Sequence, residues 1–217
     1  MKKKFSTLAF CILFFYYGNA QIEAYIKFGS SKCSINRIDT ESYRNTFHFQ
    51  AGGGYRFFTD KRISIIPSLF IDKSGFQQNN LVFGNVISSN SGLMVETTSI
   101  TLNHISFGIK SSFELKLLNL EKKTNFYLSP NIGFRKIVSS TQKASPDIEG
   151  LNKHPSYGNY NLFDYGFSAG VKFSRLKVDL FYRNVLDLES LQLSAFVVTN
   201  AMGVGVHYMF NHSNTTK

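Results

Sequence analysis

Two groups of side chains in this 217-residue sequence have the types and spacing to do chemistry. The first is His104-Ile105-Ser106, an imidazole and a hydroxyl at i and i+2. On a strand these share one face, where a base can activate a nucleophile. Such a His also needs a carboxylate to orient it, and no spacing marks one. The pair is read as coincidence, and no catalytic residue is assigned. The second group is Arg56, Lys110, Glu114, Lys172, Lys177, Asp179 and Arg183, which alternate with apolar residues in period two. If they share an interior, opposite signs must pair there, because an unpaired buried charge is costly. They form the candidate charge network, with a structural role. A narrow ion or solute path is the alternative. His48, His154, His207 and His212 show no metal-ligand spacing, and no cofactor motif is present.

The elements that must position these residues are legible. Residues 1–20 read as a signal peptide: Lys2, Lys3 and Lys4 precede the apolar run Phe5 to Tyr17, and Gly18-Asn19-Ala20 forms a small-x-small cleavage site. Removing those lysines takes the formal charge from +10 to +7. Cys33 is then the only thiol, which excludes an intramolecular disulfide. Beyond the signal no apolar run is long enough for a spanning helix.

The rest alternates with period two. In Leu176 to Arg183 the apolar residues take every even position. The same dyad places Phe47, Phe49, Ala51, Gly53, Tyr55 and Phe57 on one face. Eight strands are predicted: 22–34, 46–58, 63–76, 98–115, 124–139, 162–173, 176–187 and one ending at Phe210. Connections alternate between tight turns, such as Ser174-Arg175, and long polar segments, Gln77 to Thr97 and Ser140 to Asn161. The prediction is an all-β, eight-stranded antiparallel up-and-down transmembrane β-barrel over 21–210, with a polar tail at 211–217. Pro67 and Pro130 fall mid-strand and predict bulges. A phase slip between Leu102 and Ile105 predicts a bulge or the true start of the fourth strand.

Which face is wet decides between a membrane barrel and a water-soluble, lipocalin-like one. With the apolar face outward, the only outward charge expected is Lys136. Glu23, Lys27, Asp72, Arg135 and Asp164 then join the seven network residues inside. Glycines crowd the polar face, and the apolar face is too bulky to fill eight strands. The membrane reading is favoured.

The segment Gly53 to Gly75, containing Thr59-Asp60-Lys61 and Pro67-Ser68-Leu69, resembles the second hairpin of the PorT-like group of Bacteroidota outer-membrane β-barrels, with Ser68 where that group usually has Glu. Asn103 to Phe107 and Phe126 to Phe134 resemble further strands of the group. The resemblance implies outer-membrane residence and an eight-stranded barrel. The final strand, Val204 to Phe210, looks like the signal read by the outer-membrane insertion machinery. PorT belongs to a secretion apparatus, which makes a secretion-linked accessory role an alternative. Outer-membrane lipid A deacylases carry a similar His-x-Ser pair, so a lipid A-modifying enzyme is a distant third.

The expected role is therefore structural or surface-interacting. Expected partners are membrane lipid and lipopolysaccharide, the insertion machinery, and a ligand at long loops carrying Phe76, Phe83, Tyr157 and Tyr160. The positive charge is spread along strands and is not gathered in a patch, so no nucleic acid is expected.

Overall fold

The computed structural model describes residues 21–35, 43–59, 61–82, 88–89, 92–93, 97–118, 124–145, 161–187 and 197–210. The expected signal peptide and tail lie outside the described residues, as do His154, His212, Phe83, Tyr157 and Tyr160. The described chain is almost wholly strand: β1 (Gln21–Ile35), β2 (Thr46–Arg56), β3 (Ile63–Val82), β4 (Thr97–Lys116), β5 (Thr124–Ser145), β6 (Asn161–Phe173), β7 (Leu176–Asp187) and β8 (Val197–Phe210). Each pairs antiparallel with its neighbours in sequence, and β1 closes on β8 from Ile22↔Phe210 to Ile35↔Val197. The fold is the closed up-and-down barrel that alternation predicts.

Several local expectations change. The predicted long segments are shorter, because β3 runs to Val82, β4 begins at Thr97 and β5 continues to Ser145. Phe76 is therefore a strand residue. Within the first segment Ser88–Ser89 pairs with Gly92–Leu93, and Tyr43–Arg44 pairs with Gln78 and Gln77. Phe57 is buried and does not share the outer face with Tyr55. It lies past the continuous β2 ladder, where Phe58, at φ 60°, turns the chain and strand parity lapses. Ser174 has φ 53°, the sign a two-residue hairpin turn demands at its first position.

Neither proline makes a bulge. Phe57 and Ile65 exchange both backbone bonds, at 2.9 and 3.3 Å. Two residues on, Tyr55 and Pro67 would repeat that exchange, but Pro67 has no N–H. The β2–β3 ladder stops at Gly54↔Ser68 and resumes at Phe57↔Ile65 in unchanged register. Pro130 behaves alike: β4–β5 pairing skips from Ser112↔Asn131 to Leu115↔Leu128 without a shift. A short lapse in pairing replaces the inserted residue. The predicted slip in β4 is also relocated. Leu102 is buried on the same face as Ser106 and Gly108, so the strand keeps its phase. The register shift is real, but the extra residue is Val138 on β5, between the pairs Ile105↔Ser139 and Ser106↔Ile137.

Outward positions form a continuous apolar band. It runs from Ile22 to Phe28 in β1, Phe47 to Tyr55 in β2, Ile63 to Ile71 in β3 and Ile105 to Leu115 in β4. It continues from Phe126 to Phe134 in β5, Phe163 to Phe173 in β6, Leu176 to Tyr182 in β7 and Met202 to Phe210 in β8. On the loop side it ends abruptly at Ser30, Lys73, Asn103, Lys136, Asn161, Asn184 and Asn200. Lys136 is thus not the only outward charge, since Lys32 and Lys73 share its face through their pairing with Asn200 and Ile105.

The seam between first and last strands leaves no room for a side chain at one rung. Gly29 and Gly203 face each other, and a Cβ on either would come within 1.9 Å of the opposite strand's carbonyl, at Met202 or Phe28. Gly29→Val should separate β1 from β8 at a cost of at least about 1–3 kcal/mol. The expected readout is a smaller fraction of purified protein that runs as a compact, heat-modifiable band on electrophoresis. A fully folded variant at wild-type yield would contradict the tight seam.

Candidate functional site

Strand alternation sends every second residue into the lumen, and that face carries the charges. They sort into two clusters stacked along the barrel axis. In the turn-side cluster three carboxylates, Glu23, Glu114 and Asp179, meet three cations, Lys27, Arg56 and Lys177. Arg56 is fully buried and spans two partners. It donates to Glu114 at 2.5 and 2.7 Å and to Glu23 at 2.7 and 3.1 Å. Lys177 reaches both Glu23 and Glu114 at 2.8 Å, and Lys27 reaches Asp179 at 3.1 Å. His207 bridges Glu23 at 2.6 Å and Asp179 at 3.0 Å.

The loop-side cluster is built on Asp72. It accepts from Arg135 and Arg183, each at 2.7 Å, and contacts His48 Nε2 at 2.8 Å. Arg135 also bonds Asp164, so two carboxylates balance two guanidinium groups. Between the clusters lies an aromatic layer. Lys110 Nζ sits 4.2 Å from the Tyr25 ring centroid and 5.4 Å from that of Phe70, and donates to Gln50 at 2.9 Å. Arg135 lies over Phe70, Lys27 over Phe181 and Lys177 over Tyr127. Rings and cations attract in such geometry, most strongly where water is excluded. A lumen cavity lined by Glu23, Lys27, Tyr127, Asp179 and His207 measures about 20 Å³, room for roughly one water.

Of the seven residues predicted from sequence, Arg56, Glu114, Lys177 and Asp179 come together on the turn side, and Arg183 joins the loop-side cluster. Lys110 lies between them, held by rings and an amide. Lys172 pairs across strands with Lys177 in the β6–β7 ladder and makes no ion pair among the described residues. His48 and His207, which show no metal-ligand spacing, enter the clusters as partners of Asp72 and of Glu23 and Asp179. Both occupy inward positions, and that parity was the available signal.

The His104–Ser106 pair does not assemble. His104 Nδ1 contacts Ser140 Oγ at 3.0 Å on the neighbouring strand, and Ser106 Oγ accepts from Arg135 at 3.5 Å. Sequence proximity is overridden by cross-strand neighbours.

Removing a carboxylate from either cluster strands buried cations, which typically costs about 3–5 kcal/mol. Glu23→Ala should lower the urea midpoint of the detergent-solubilised barrel accordingly, as should Asp72→Ala. A Lys172→Ala change should leave it within about 0.5 kcal/mol. Equal effects in all three would show that the clusters do not brace the barrel.

No family model matches the chain, and no curated protein matches it in sequence. Solved structures do. Neisserial surface protein A aligns with 88% of this chain and 99% of its own, at 13% identity and a TM-score of 0.48. Ail, the attachment invasion locus protein of Yersinia pestis, solved with the heparin analogue sucrose octasulfate, aligns over the same shares at 16% identity and a TM-score of 0.36. The N-terminal β-barrel domain of Pseudomonas aeruginosa OprF does so at 11% and 0.36.

Proposed function

We propose that this chain is a small outer-membrane barrel whose lumen is plugged by its own ion pairs and whose loop-side rim serves surface interaction. The observation that carries the reading is the outer band. On most strands it is 9–11 residues long, the length a tilted strand needs to cross hydrocarbon, and it is closed on all sides. Bulky apolar side chains such as Phe47, Leu180 and Phe167 face outward while Glu23, Arg56 and Asp72 are buried inside, the reverse of a water-soluble barrel. Aromatic residues mark both margins, with Tyr55, Phe126, Phe173 and Phe210 at the turns and Phe134, Phe163 and Tyr182 toward the loops.

The surface role follows from strand length. Beyond the band, β3, β4 and β5 stay paired from Lys73↔Ile105 to Gln78↔Ile100 and from Ile105↔Ser139 to Ser99↔Ser145. They form a wall that stands clear of the apolar zone and is faced by polar residues. Filled by Arg56 and its partners, the lumen disfavours the channel reading. The final strand ending at Phe210 suits recognition by the insertion machinery, and the short segments that resemble the PorT-like group suit the same membrane.

Leu180, at the centre of the band and 68% exposed, tests the orientation. Leu180→Arg should destabilise the barrel in lipid vesicles by about 2–4 kcal/mol, whereas a water-soluble barrel would tolerate it. Topology is checked with an epitope inserted after Ser89: whole cells should bind its antibody, while an epitope in the turn near Leu118 should need permeabilised cells. Steady single-channel conductance from the pure protein in planar bilayers would overturn the plugged lumen.

A further inference from the structure

The outer face is not uniform around its circumference. Over the β1–β5 sector its loop-side margin carries Lys32 on β1, Lys73 on β3, Lys136 and Lys143 on β5, and Arg44 in the short segment paired with β3, all on outward positions by their ladder partners. At the same margin β6, β7 and β8 carry the neutral Asn161, Asn184 and Asn200. Among the described residues none of the five cations makes an ion pair, and no carboxylate faces outward near them. Five cations on one sector and none on the other, among the described residues, make an electrostatic asymmetry that folding alone does not require.

Below that sector the apolar surface is indented by a groove of about 680 Å³ that runs obliquely, from Phe134 on the loop side to Ala24 and Gly53, one outward position from the turn-side Ile22 and Tyr55. Its floor is made of small or flat residues, Ala24, Gly53, Pro67 and Ser111, set between taller neighbours such as Leu69 and Phe134. The ladder aligns them in two rows, Ala24–Gly53–Leu69–Ile109–Phe134 and Pro67–Ser111–Ile132. Lys136 stands one outward step above Phe134, and Lys73 two outward steps above Leu69. At about 3.4 Å per residue these are roughly 7 and 14 Å above the groove. The two lysines are two strands apart, about 10 Å laterally, within the joint reach of two extended side chains.

A cationic margin above a narrow apolar groove fits one kind of molecule, an acylated lipid with phosphate on its head. We propose that the β1–β5 face binds the phosphorylated lipid A of the outer leaflet, with phosphate between Lys73 and Lys136 and one acyl chain entering the groove beside Phe134 and running obliquely across it toward Gly53. The assignment rests on the outer-membrane orientation above, since only the outer leaflet presents its headgroups at the loop-side margin. Within a hydrocarbon solvent the groove gains nothing from hydrophobic burial. Shape and the phosphate contacts must supply the selectivity.

The test uses the full mature barrel, reconstituted in phosphatidylcholine nanodiscs and read by native mass spectrometry with lipid A, its dephosphorylated form and phosphatidylglycerol as probes. A lysine beside anionic lipid strengthens binding about fivefold. Lys73→Gln with Lys136→Gln should therefore weaken lipid A retention about twenty-five-fold. Gly53→Leu should also weaken it, by filling the groove, and it should still fold, because an added Cβ there meets only the Glu23 carbonyl at 3.4 Å. Changing Lys61 and Arg62 on the turn side to Gln should have no effect. Equal retention of dephosphorylated lipid A, equal retention of phosphatidylglycerol, or indifference to the double lysine change would each overturn the proposal. A barrel that inserts in the nanodisc and shows any of these results leaves the membrane reading standing; a barrel that fails to insert removes both.

Discussion

A sheet in hydrocarbon cannot leave an edge, because each backbone N–H and C=O without a partner there costs several kcal/mol. Everything else in this molecule is arranged around that requirement. The first and last strands must find each other across the length of the chain, and they do so in one unbroken ladder from Ile22↔Phe210 to Ile35↔Val197. Across Pro67 and Pro130, inside the apolar band, the register does not slip although one donor is missing at each. A bulge in the band would leave a further group unpaired. A lapse in unchanged register confines the loss to the proline's own rung.

Closure has a second consequence. Eight strands enclose a lumen only as wide as the side chains that fill it, and the outward face has claimed most of the bulky apolar residues. Charges inside such a space must be neutralised locally, since desolvation of an unpaired ion exceeds any single contact. The clusters satisfy this by drawing partners from different strands. Glu23 on β1 receives Arg56 from β2, Lys177 from β7 and His207 from β8. Asp72 on β3 receives His48 from β2, Arg135 from β5 and Arg183 from across the barrel on β7. Each carboxylate is a transverse brace, and each cluster balances its carboxylates against Lys and Arg. That arrangement stiffens a cylinder and leaves little room for a permeant ion.

What the sequence made legible was whatever depends on period. The strand count, the tight turn at Ser174-Arg175, and the inward direction of Arg56, Glu114, Lys177, Asp179 and Arg183 all follow from alternation, because a strand offers only two faces. What it concealed depends on the neighbour across the ladder. His104 meets Ser140 and not Ser106, because inter-strand distance is shorter than the i to i+2 separation along a strand. Lys110 and Lys172 look like Lys177 in sequence, yet one lies against rings and the other pairs in the β6–β7 ladder with a residue of its own charge. The slip read in β4 belongs to Val138, since a bulge on one strand changes the partners seen by the other. Phe57 shows where periodicity itself fails, at the residue where a strand stops being one.

The ends of the strands show how one sheet serves two environments. From Ser106 to Leu115 the ladders of β4 with β3 and β5 hold a fixed register. The described register shifts lie at or beyond the band's loop-side edge: Val138, one rung from Lys73 and past Lys136 on its own strand, and the step between Gln78 and Leu81. Bulges bend and twist a strand and leave a backbone group unpaired, a defect that water can repair and hydrocarbon cannot. Their position therefore marks where solvent begins as clearly as the change from Ile71 to Lys73 does. Inside that boundary the sheet can only be a closed and regular cylinder. Outside it, the same strands are free to bend and twist, because water can satisfy the backbone groups that a bulge leaves unpaired.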